Sequence, residues 1–281
     1  MKFLRIGAVL LFVLSFALNT WASHEYNKNH DSTVPVLTSD QEVLEVSVDC
    51  TEEDLLKGLT AYDEKDGDLT DEILIAGNTY FLGDESSCNV TYVVFDSSNN
   101  SAKLTRKVHY KDYTPPRFAL SAPLVYTQGQ NINFLTNVTA YDVLDGDITD
   151  RVKVKKSNVS NYQPGTYPLV LEVMNSHGDS ATVELSVVVQ EGDAYSPKAP
   201  VITLTDYLVY VKKGEQLSPK DLIDSVYTYD EEMLPFSDVK VIGNVNTSEP
   251  GTYSLVYSVE DEEAEAEGYT YLTVIVTDEE V

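Results

Sequence analysis

One phrase of eleven residues stands twice in this chain and restricts what the chain can fold into. Residues 61–71 read Ala-Tyr-Asp-Glu-Lys-Asp-Gly-Asp-Leu-Thr-Asp, and residues 140–150 repeat the phrase as Ala-Tyr-Asp-Val-Leu-Asp-Gly-Asp-Ile-Thr-Asp, 79 positions later. A second phrase, Pro-Gly-Thr-Tyr, occupies 164–167 and again 250–253. Repetition at intervals of about 80 residues indicates tandem copies of one small domain. We therefore expect three copies.

Two junctions that contain prolines separate the expected copies. Residues 112–116 end in a pair of prolines, and residues 191–200 contain two more. Proline cannot donate a hydrogen bond to a sheet and it stiffens the chain, so we expect a semi-rigid row of copies. The predicted organisation is an N-terminal segment at 1–23, a polar spacer at 24–34, and three small domains, called the first, second and third repeat, at 35–111, 112–190 and 191–281.

The N-terminal segment has the pattern of a secretion signal. Lys2 and Arg5 precede an apolar run at 6–18, and Thr20-Trp21-Ala22 offers a cleavage site between small residues. The run is shorter than the roughly 20 residues of a membrane span, but extending it through Trp21 leaves an uncleaved signal anchor open. In both cases we expect the rest of the chain outside the cell or at its surface, secreted or tethered by this segment.

The net charge of −27 limits the classes of partner. Such acidity repels nucleic-acid phosphates and anionic lipid headgroups. We therefore expect no nucleic-acid partner, and membrane contact only through the N-terminal segment if it stays uncleaved. The charge also serves to keep a tyrosine-rich β protein in solution.

Apolar residues alternate with polar ones in the later part of each copy. In the second and third repeats the alternating apolar set is Tyr167, Leu169, Leu171, Val173, Val183, Leu185, Val187, Tyr253, Leu255, Tyr257, Val259, Leu272, Val274 and Val276. This period of two, with turn-forming residues between the strands, is typical of antiparallel sheets with one buried face. It predicts an all-β fold of small β-sandwiches. Helix is scarce, with one capped turn each expected at 51–56 and 218–223.

Three motifs together resemble the bacterial immunoglobulin-like domain family, known from an insecticidal crystal toxin and from surface proteins of Gram-positive bacteria. They are Asp-x-x-Asp-Gly-Asp-Leu/Ile-Thr, Pro-Gly-Thr-Tyr-x-Leu, and Asp/Asn-Ser-x-x-x-Ser-Ala before a closing Val-x-Val strand. The resemblance covers residues 31–277 and implies three tandem immunoglobulin-like β-sandwich domains. The first repeat departs from it by placing Cys88 where Tyr is expected. The third repeat departs by replacing the Asp-Gly-Asp element with residues 229–235.

The acidic phrases are candidates for a cation site. Calcium takes six to eight oxygen ligands, and acidic turns around a glycine can supply them. The alternative is that each phrase is a tight turn, in which glycine adopts a positive φ and aspartate caps its own backbone. The residues that would hold calcium are Asp63, Asp66, Asp68, Asp142, Asp145 and Asp147. No other cofactor is indicated.

The only two cysteines are Cys50 and Cys88, both in the first repeat. In an exported protein such a pair most often forms a disulfide, here closing a loop of roughly 40 residues and contributing about 3 to 4 kcal/mol. A metal pair is the weaker interpretation, because neither a histidine nor a third cysteine is near in the sequence. Cys88 stands where the other repeats carry Tyr167 and Tyr253, so the disulfide would replace an aromatic packing element.

Tyr167 and Tyr253 each begin a strand after Pro-Gly. Binding aromatics are one interpretation. The position favours instead a tyrosine corner, in which the ring packs and the hydroxyl bonds to the backbone a few residues upstream.

Catalysis finds little support in the sequence. His24 and His30 lie in the spacer, His109 ends a strand, and His177 lies in a hairpin turn, without a nucleophile and an orienting group beside them. We expect a non-catalytic adhesion or display module that contacts an unknown surface protein or glycan. The alternative is a carbohydrate-binding or passive spacer module of a glycan-active system, and a hydrolase that uses the acidic turns is more remote.

Overall fold

A computed structural model describes residues 2–29, 33–81, 86–192 and 196–278. The chain divides into two compact units, Met1–Lys111 and Asp112–Val281, and each is treated by itself. Residues 30–32 of the predicted spacer and 193–195 of the second junction lie outside the described residues.

The chain begins with helix α1 (Lys2–Asn29), which continues beyond the predicted N-terminal segment and into the predicted spacer. The polar residues after position 23 lack an apolar stripe, which is the pattern of a spacer. No glycine or proline occurs between Ala8 and Val34, so the backbone chemistry does not end the helix there. No helix among the described residues has both the length and the apolar composition of a membrane span.

The first repeat folds into two sheets in orders β1-β3-β4 and β2-β7-β6-β5. Its strands are β1 (Val36–Ser39), β2 (Val43–Val46), β3 (Leu59–Asp63), β4 (Gly67–Asp68), β5 (Leu74–Asn78), β6 (Ser87–Phe95) and β7 (Ser101–Tyr110). The predicted capped turn is helix α2 (Glu52–Leu56). The Thr51 hydroxyl accepts from the Asp54 amide, and the Asp54 carboxylate accepts from the Thr51 amide. This reciprocal cap confirms the prediction from the spacing.

The second repeat forms sheets in orders β8-β10-β11 and β9-β14-β13-β12. Its strands are β8 (Arg117–Leu120), β9 (Val125–Thr127), β10 (Val138–Asp142), β11 (Gly146–Asp147), β12 (Lys153–Ser157), β13 (Gly165–Met174) and β14 (Ser180–Gln190). Short 3₁₀ helices at Phe134–Asn137 and Thr149–Arg151 precede β10 and β12.

The third repeat forms a two-stranded sheet β15-β17 and a sheet in order β16-β20-β19-β18. Its strands are β15 (Val201–Leu204), β16 (Leu208–Lys212), β17 (Ile223–Tyr227), β18 (Lys240–Ile242), β19 (Gly251–Asp261) and β20 (Ala266–Thr277). The second predicted turn is a 3₁₀ helix at Pro219–Leu222, whose preceding Ser218 makes no side-chain cap. A further 3₁₀ helix covers Phe236–Asp238.

The same plan recurs in all three repeats. In each four-stranded sheet a long antiparallel hairpin is flanked by a short strand that runs parallel to its second strand, namely β2 along β7, β9 along β14 and β16 along β20. The side chains predicted to face the core from the hairpins of the second and third repeats, from Leu169 to Val187 and from Leu255 to Val276, are 0–4 % exposed. Tyr167 and Tyr253 are partly buried. The prediction of all-β, tandem immunoglobulin-like domains is confirmed.

The second and third repeats also contact each other directly. Leu208 of β16 packs into the core of the second repeat, and Tyr207 contacts both cores. The Tyr210 hydroxyl accepts a hydrogen bond of 3.0 Å from the Phe118 amide, and the Arg117 guanidinium lies 5.2 Å from the Tyr210 ring centroid. Side chains therefore hold this pair together, in addition to the stiff junction that the prolines predict.

Candidate functional site

The two acidic phrases form matching hairpin turns. Asp63 pairs with Gly67 between β3 and β4, and Asp142 pairs with Gly146 between β10 and β11. The glycines have φ of +79° and +72°, a region that other residues avoid. The shared glycine is thus explained by the backbone of the turn.

The first aspartate of each phrase caps its own turn. Asp63 and Asp142 are each only 1 % exposed. Asp63 Oδ1 accepts from the amides of residues 65 and 66 at 2.8 and 3.1 Å, and Asp142 Oδ1 accepts from those of residues 144 and 145 at 3.0 and 2.9 Å. These buried carboxylates therefore satisfy the loop backbone that encloses them.

The second aspartate joins the turn to the closing hairpin. Asp66 accepts from the amide and hydroxyl of Ser97 at 2.8 and 2.9 Å. Asp145 accepts from the same two groups of Ser176, both at 2.7 Å, and pairs with Arg151. Burial raises the pKa of Asp145, but the hydrogen bonds from Ser176 and the charge of Arg151 outweigh it and hold this pKa below its ordinary value.

The third aspartate binds the first amide of the 3₁₀ turn that follows, Thr70–Glu72 in the first repeat and Thr149–Arg151 in the second. Asp68 Oδ1 accepts from the Thr70 amide at 3.0 Å, and Asp147 Oδ1 accepts from the Thr149 amide at 2.9 Å. Hydrogen bonding to these threonines lowers the pKa of both carboxyl groups. These three aspartates of each phrase therefore serve different backbone segments.

These contacts bear on the calcium hypothesis. Both oxygens of Asp63 and both of Asp66 already accept hydrogen bonds, from amides and from the hydroxyls of Thr33 and Ser97. Among the described residues, no three or more His, Cys, Asp or Glu side chains are grouped as metal ligands. These hydrogen bonds agree with the alternative of a self-capped turn, and the calcium site stays a prediction.

The third repeat builds the same loop from other residues. The Thr228 amide donates to the Glu232 carbonyl at 2.8 Å, and the Thr228 hydroxyl accepts from the Glu232 amide at 3.0 Å. Tyr227 bridges to Met233 as Tyr62 pairs with Asp68 in the first repeat. The Asp-Gly-Asp element is therefore dispensable for the loop, which agrees with the predicted departure of the third repeat.

A buried polar network behind the second turn was not predicted. Asn175 Nδ2 donates to Asp142 Oδ2 at 3.1 Å and to the Tyr113 hydroxyl at 2.9 Å, while that hydroxyl donates to Asp179 at 2.6 Å. Burial, followed by the hydrogen bond to Asp179, raises the pKa of Tyr113. The network ties the proline junction, the acidic turn and the closing hairpin together.

The two tyrosine corners are present. The Tyr167 hydroxyl donates to the Gln163 carbonyl at 2.7 Å, and the Tyr253 hydroxyl donates to the Glu249 carbonyl at 2.9 Å. Both bonds reach four residues upstream, so this geometry favours the structural role over a binding role for these rings.

No disulfide joins Cys50 and Cys88 in this structure. Burial, and then the nearby Cys50, raises the pKa of Cys88 to about 11. The pairing stays a prediction. Cys88 pairs with Val108 as Tyr167 pairs with Val187, so the predicted correspondence of Cys88 with tyrosine holds in the sheet register.

A buried arginine is the largest feature that sequence reasoning missed. Arg106 is 2 % exposed and donates to the carbonyls of Leu55 and Lys57 at 2.6 and 2.7 Å. It also reaches the Ser39 and Tyr92 hydroxyls at 3.2 and 3.3 Å. The sequence signal for this buried site was the position of Arg106 on the inward face of β7, because a buried charged side chain requires hydrogen-bond partners.

The histidines of the described hairpins do not form a catalytic triad. The Ser176 hydroxyl lies between its neighbours, 2.7 Å from Asp145 and 3.2 Å from His177 Nδ1, whereas a triad requires the histidine in the middle. Burial lowers the pKa of His177 and outweighs the charges of Asp145 and Asp142, which raise it. His109 Nδ1 contacts the hydroxyls of Ser86 and Ser87.

A crevice of about 170 Å³ lies between the second and third repeats. Its walls combine aliphatic side chains with hydroxyl groups and two tyrosine rings, namely Thr166, Ser186, Ser254, Thr273, Tyr207 and Tyr271. The volume is below the roughly 300 Å³ of common ligand pockets and suits a single small ring.

Repeated sandwiches with tyrosine corners and self-capped acidic turns define a tandem immunoglobulin-like protein. Residues 121–189 match the family model of the bacterial surface protein, Ig-like domain, and residues 202–267 match that of the bacterial Ig-like domain (group 3). The chain therefore contains at least two bacterial immunoglobulin-like domains.

Individual relatives are longer than this chain. It is 32% identical over 211 residues to the pesticidal crystal protein Cry22Aa of Bacillus thuringiensis, an alignment that covers 72% of this chain and 27% of that protein. It is 26% identical over 145 residues to an uncharacterized 81.3 kDa protein of Acholeplasma phage L2, covering 50% and 20%. The chain thus spans about a quarter or less of these curated relatives. The solved CBM51-2 and INT domains of Clostridium perfringens ZmpB align over 56% of this chain and 40% of that chain, with 18% identity and a TM-score of 0.28.

Proposed function

We propose that this chain is an exported cell-surface protein whose immunoglobulin-like domains act as a non-catalytic adhesion and display module. The match of residues 121–189 to a surface-protein domain family supports the location. The basic and apolar N-terminal segment supports export, with release or tethering decided by whether it is cleaved.

One observation carries the non-catalytic part of the proposal. The acidic groups that most resemble a reactive site are bonded to amides and hydroxyls of their own fold, as with Asp63 and Asp66. A general acid or base needs a group that can reach a substrate proton. These carboxylates instead hold turns and hairpins in place.

Protease shaving of intact cells, followed by fractionation, tests the proposal. We expect external protease to degrade the chain while a cytoplasmic marker protein stays intact. Recovery of the chain in the medium indicates release, and recovery with membranes indicates tethering. A chain that stays protected inside intact cells would refute surface display.

The crevice between the second and third repeats favours carbohydrate binding as a second candidate. The described residues that line it offer tyrosine rings and hydroxyl groups and no charged side chain, which suits a neutral sugar ring. Retention of the full chain on a glycan array, lost in Tyr271→Ser, would support this function. If neither glycans nor proteins retain the chain, a passive spacer is the remaining interpretation.

A further inference from the structure

One row of outward side chains crosses the small sheet at the same register in every repeat. Its members are paired directly across neighbouring strands, as Val36–Tyr62–Asp68, Arg117–Tyr141–Asp147 and Val201–Tyr227–Met233. The first two rows end in a carboxylate, and the second also begins with an arginine. Only the row of the third repeat is apolar at both ends.

This row is open to solvent. Val201 is 54 % exposed, Tyr227 39 % and Met233 65 %, and Tyr229 in the adjoining loop is 60 % exposed. We call these four residues the apolar row. Contiguous exposed apolar side chains rimmed by polar ones are typical of interaction surfaces.

Folding does not require an apolar residue at either end of the row, because the second repeat places Arg117 where the third places Val201. Asp68 and Asp147 occupy the place of Met233 in the other repeats and suit the same hairpin. The following backbone bond is also the same, because the amides of Leu69, Ile148 and Leu234 each donate to the equivalent strand carbonyl. The loop even places Glu231 at φ +63°, where glycine would be easier. The apolar character at the ends of the row is therefore separable from the fold.

The charges around the apolar row select its partner. Asp230, Glu231 and Glu232 follow Tyr229 directly and are exposed, and no ion pair among the described residues involves them. A second copy of this chain, with its net charge of −27, would be repelled, and so would nucleic acid or anionic lipid. A segment with basic residues beside apolar ones complements both features.

The geometry points to the apolar row as the docking surface for a cationic protein segment that carries exposed apolar side chains. This inference rests on the proposed adhesion function and names the surface that performs it. The apolar side chains of the partner would cover Tyr229 and Met233, while its lysines or arginines would meet the three carboxylates.

A random peptide array probed with the full chain tests the assignment. Tyr229→Ser/Met233→Asp removes the apolar character of the row and restores the aspartate found in the other repeats. Tyr62→Ser/Tyr141→Ser is the matched control, because those rings are 61 % and 60 % exposed on the equivalent rows. Thermal unfolding checks that both variants keep the wild-type midpoint.

We expect wild type and control to retain the same peptides, which are rich in Lys or Arg beside Leu, Ile or Phe. The Tyr229→Ser/Met233→Asp variant should bind these peptides about tenfold more weakly, which corresponds to about 1.4 kcal/mol. Non-specific charge attraction predicts the opposite, because this variant is more acidic. Four results would overturn the docking surface. In two of them the variant retains the peptides as well as wild type does, or the control loses them. In the other two the wild type retains only acidic or neutral peptides, or no peptide at all. If the peptide test fails but external protease still degrades the chain on intact cells, only the docking surface is rejected and surface display is retained.

Discussion

Asn175 Nδ2 lies 3.1 Å from Asp142 Oδ2, and both side chains are almost fully buried. This bond joins the closing hairpin of the second repeat to its acidic turn. In the first repeat Asp96 stands at the place of Asn175, and its Oδ1 accepts from two loop amides, as Asn175 Oδ1 does. The difference lies in the second polar atom, because Asp96 Oδ2 accepts from Asn100 Nδ2, whereas Asn175 Nδ2 donates to Asp142. The two repeats thus reach one fold with different polar contacts at this point.

Replacing Asn175 by aspartate tests the network. Asn175→Asp removes the donor to Asp142 and to the Tyr113 hydroxyl and places a second carboxylate beside a buried one. We expect a loss of about 2 to 4 kcal/mol in the free energy of unfolding. Urea denaturation of the full chain measures it, with the exposed Asn158→Asp as the matched control. Equal stability of the two variants would contradict this role of Asn175.

For the tyrosine corners we expect a smaller effect on stability. Tyr167→Phe and Tyr253→Phe each remove one hydroxyl that donates to a carbonyl four residues upstream. We expect each change to lower the free energy of unfolding by about 1 kcal/mol. Tyr162→Phe, at a ring that is 76 % exposed, is the control and should match wild type. If the corner variants are as stable as this control, the hydroxyl bonds do not support the fold.

The buried Arg106 gives rise to a prediction that concerns the first unit alone. Arg106→Leu removes the donor to the partly buried carbonyls of Leu55 and Lys57, of which the first keeps the Tyr92 hydroxyl, and we expect a loss of about 2 to 3 kcal/mol. Hydrogen exchange should speed up across β6 and β7 and stay unchanged in Asp112–Val281. The control is Lys103→Leu at an exposed position of the same strand. Unchanged exchange in Arg106→Leu would show that the guanidinium is not needed.

Local spacing explains what the sequence could predict. The cap at Thr51 and Asp54 spans three residues and the corner at Tyr167 spans four, so the contacts follow from one short segment. The buried hairpin faces follow from a period of two. The acidic phrases were placed correctly in turns, because glycine and aspartate determine the turn backbone.

Contacts between distant segments explain what the sequence could not predict. Asn175 meets Asp142 across 33 positions, and Arg106 meets Leu55 across 51. Such partners depend on how strands and turns are brought together, which no local pattern contains. The contact of Tyr210 with Phe118 across 92 positions is of the same kind.

The bond from Ser176 to Asp145 predicts a pH dependence. Because the folded pKa of Asp145 is depressed, its contribution to stability is complete above the unfolded value of about 3.9 and is lost as the pH falls through the folded pKa. Ser176→Ala should raise the pKa of Asp145 and lower stability near neutral pH, and the difference from wild type should shrink in acid. NMR titration and unfolding across pH measure both effects. Ser248→Ala is the exposed control, and an unmoved pKa of Asp145 in Ser176→Ala would contradict the assignment.

Thermal unfolding of the full chain, in calcium and then in chelator, tests most directly the claim that the acidic turns are structural. Because Asp63, Asp66 and their counterparts already cap backbone groups, we expect the same unfolding midpoint in both conditions. A ligand that binds the folded chain alone would raise the midpoint. A midpoint that rises in calcium, falls in chelator and loses this response in Asp66→Asn would contradict the account.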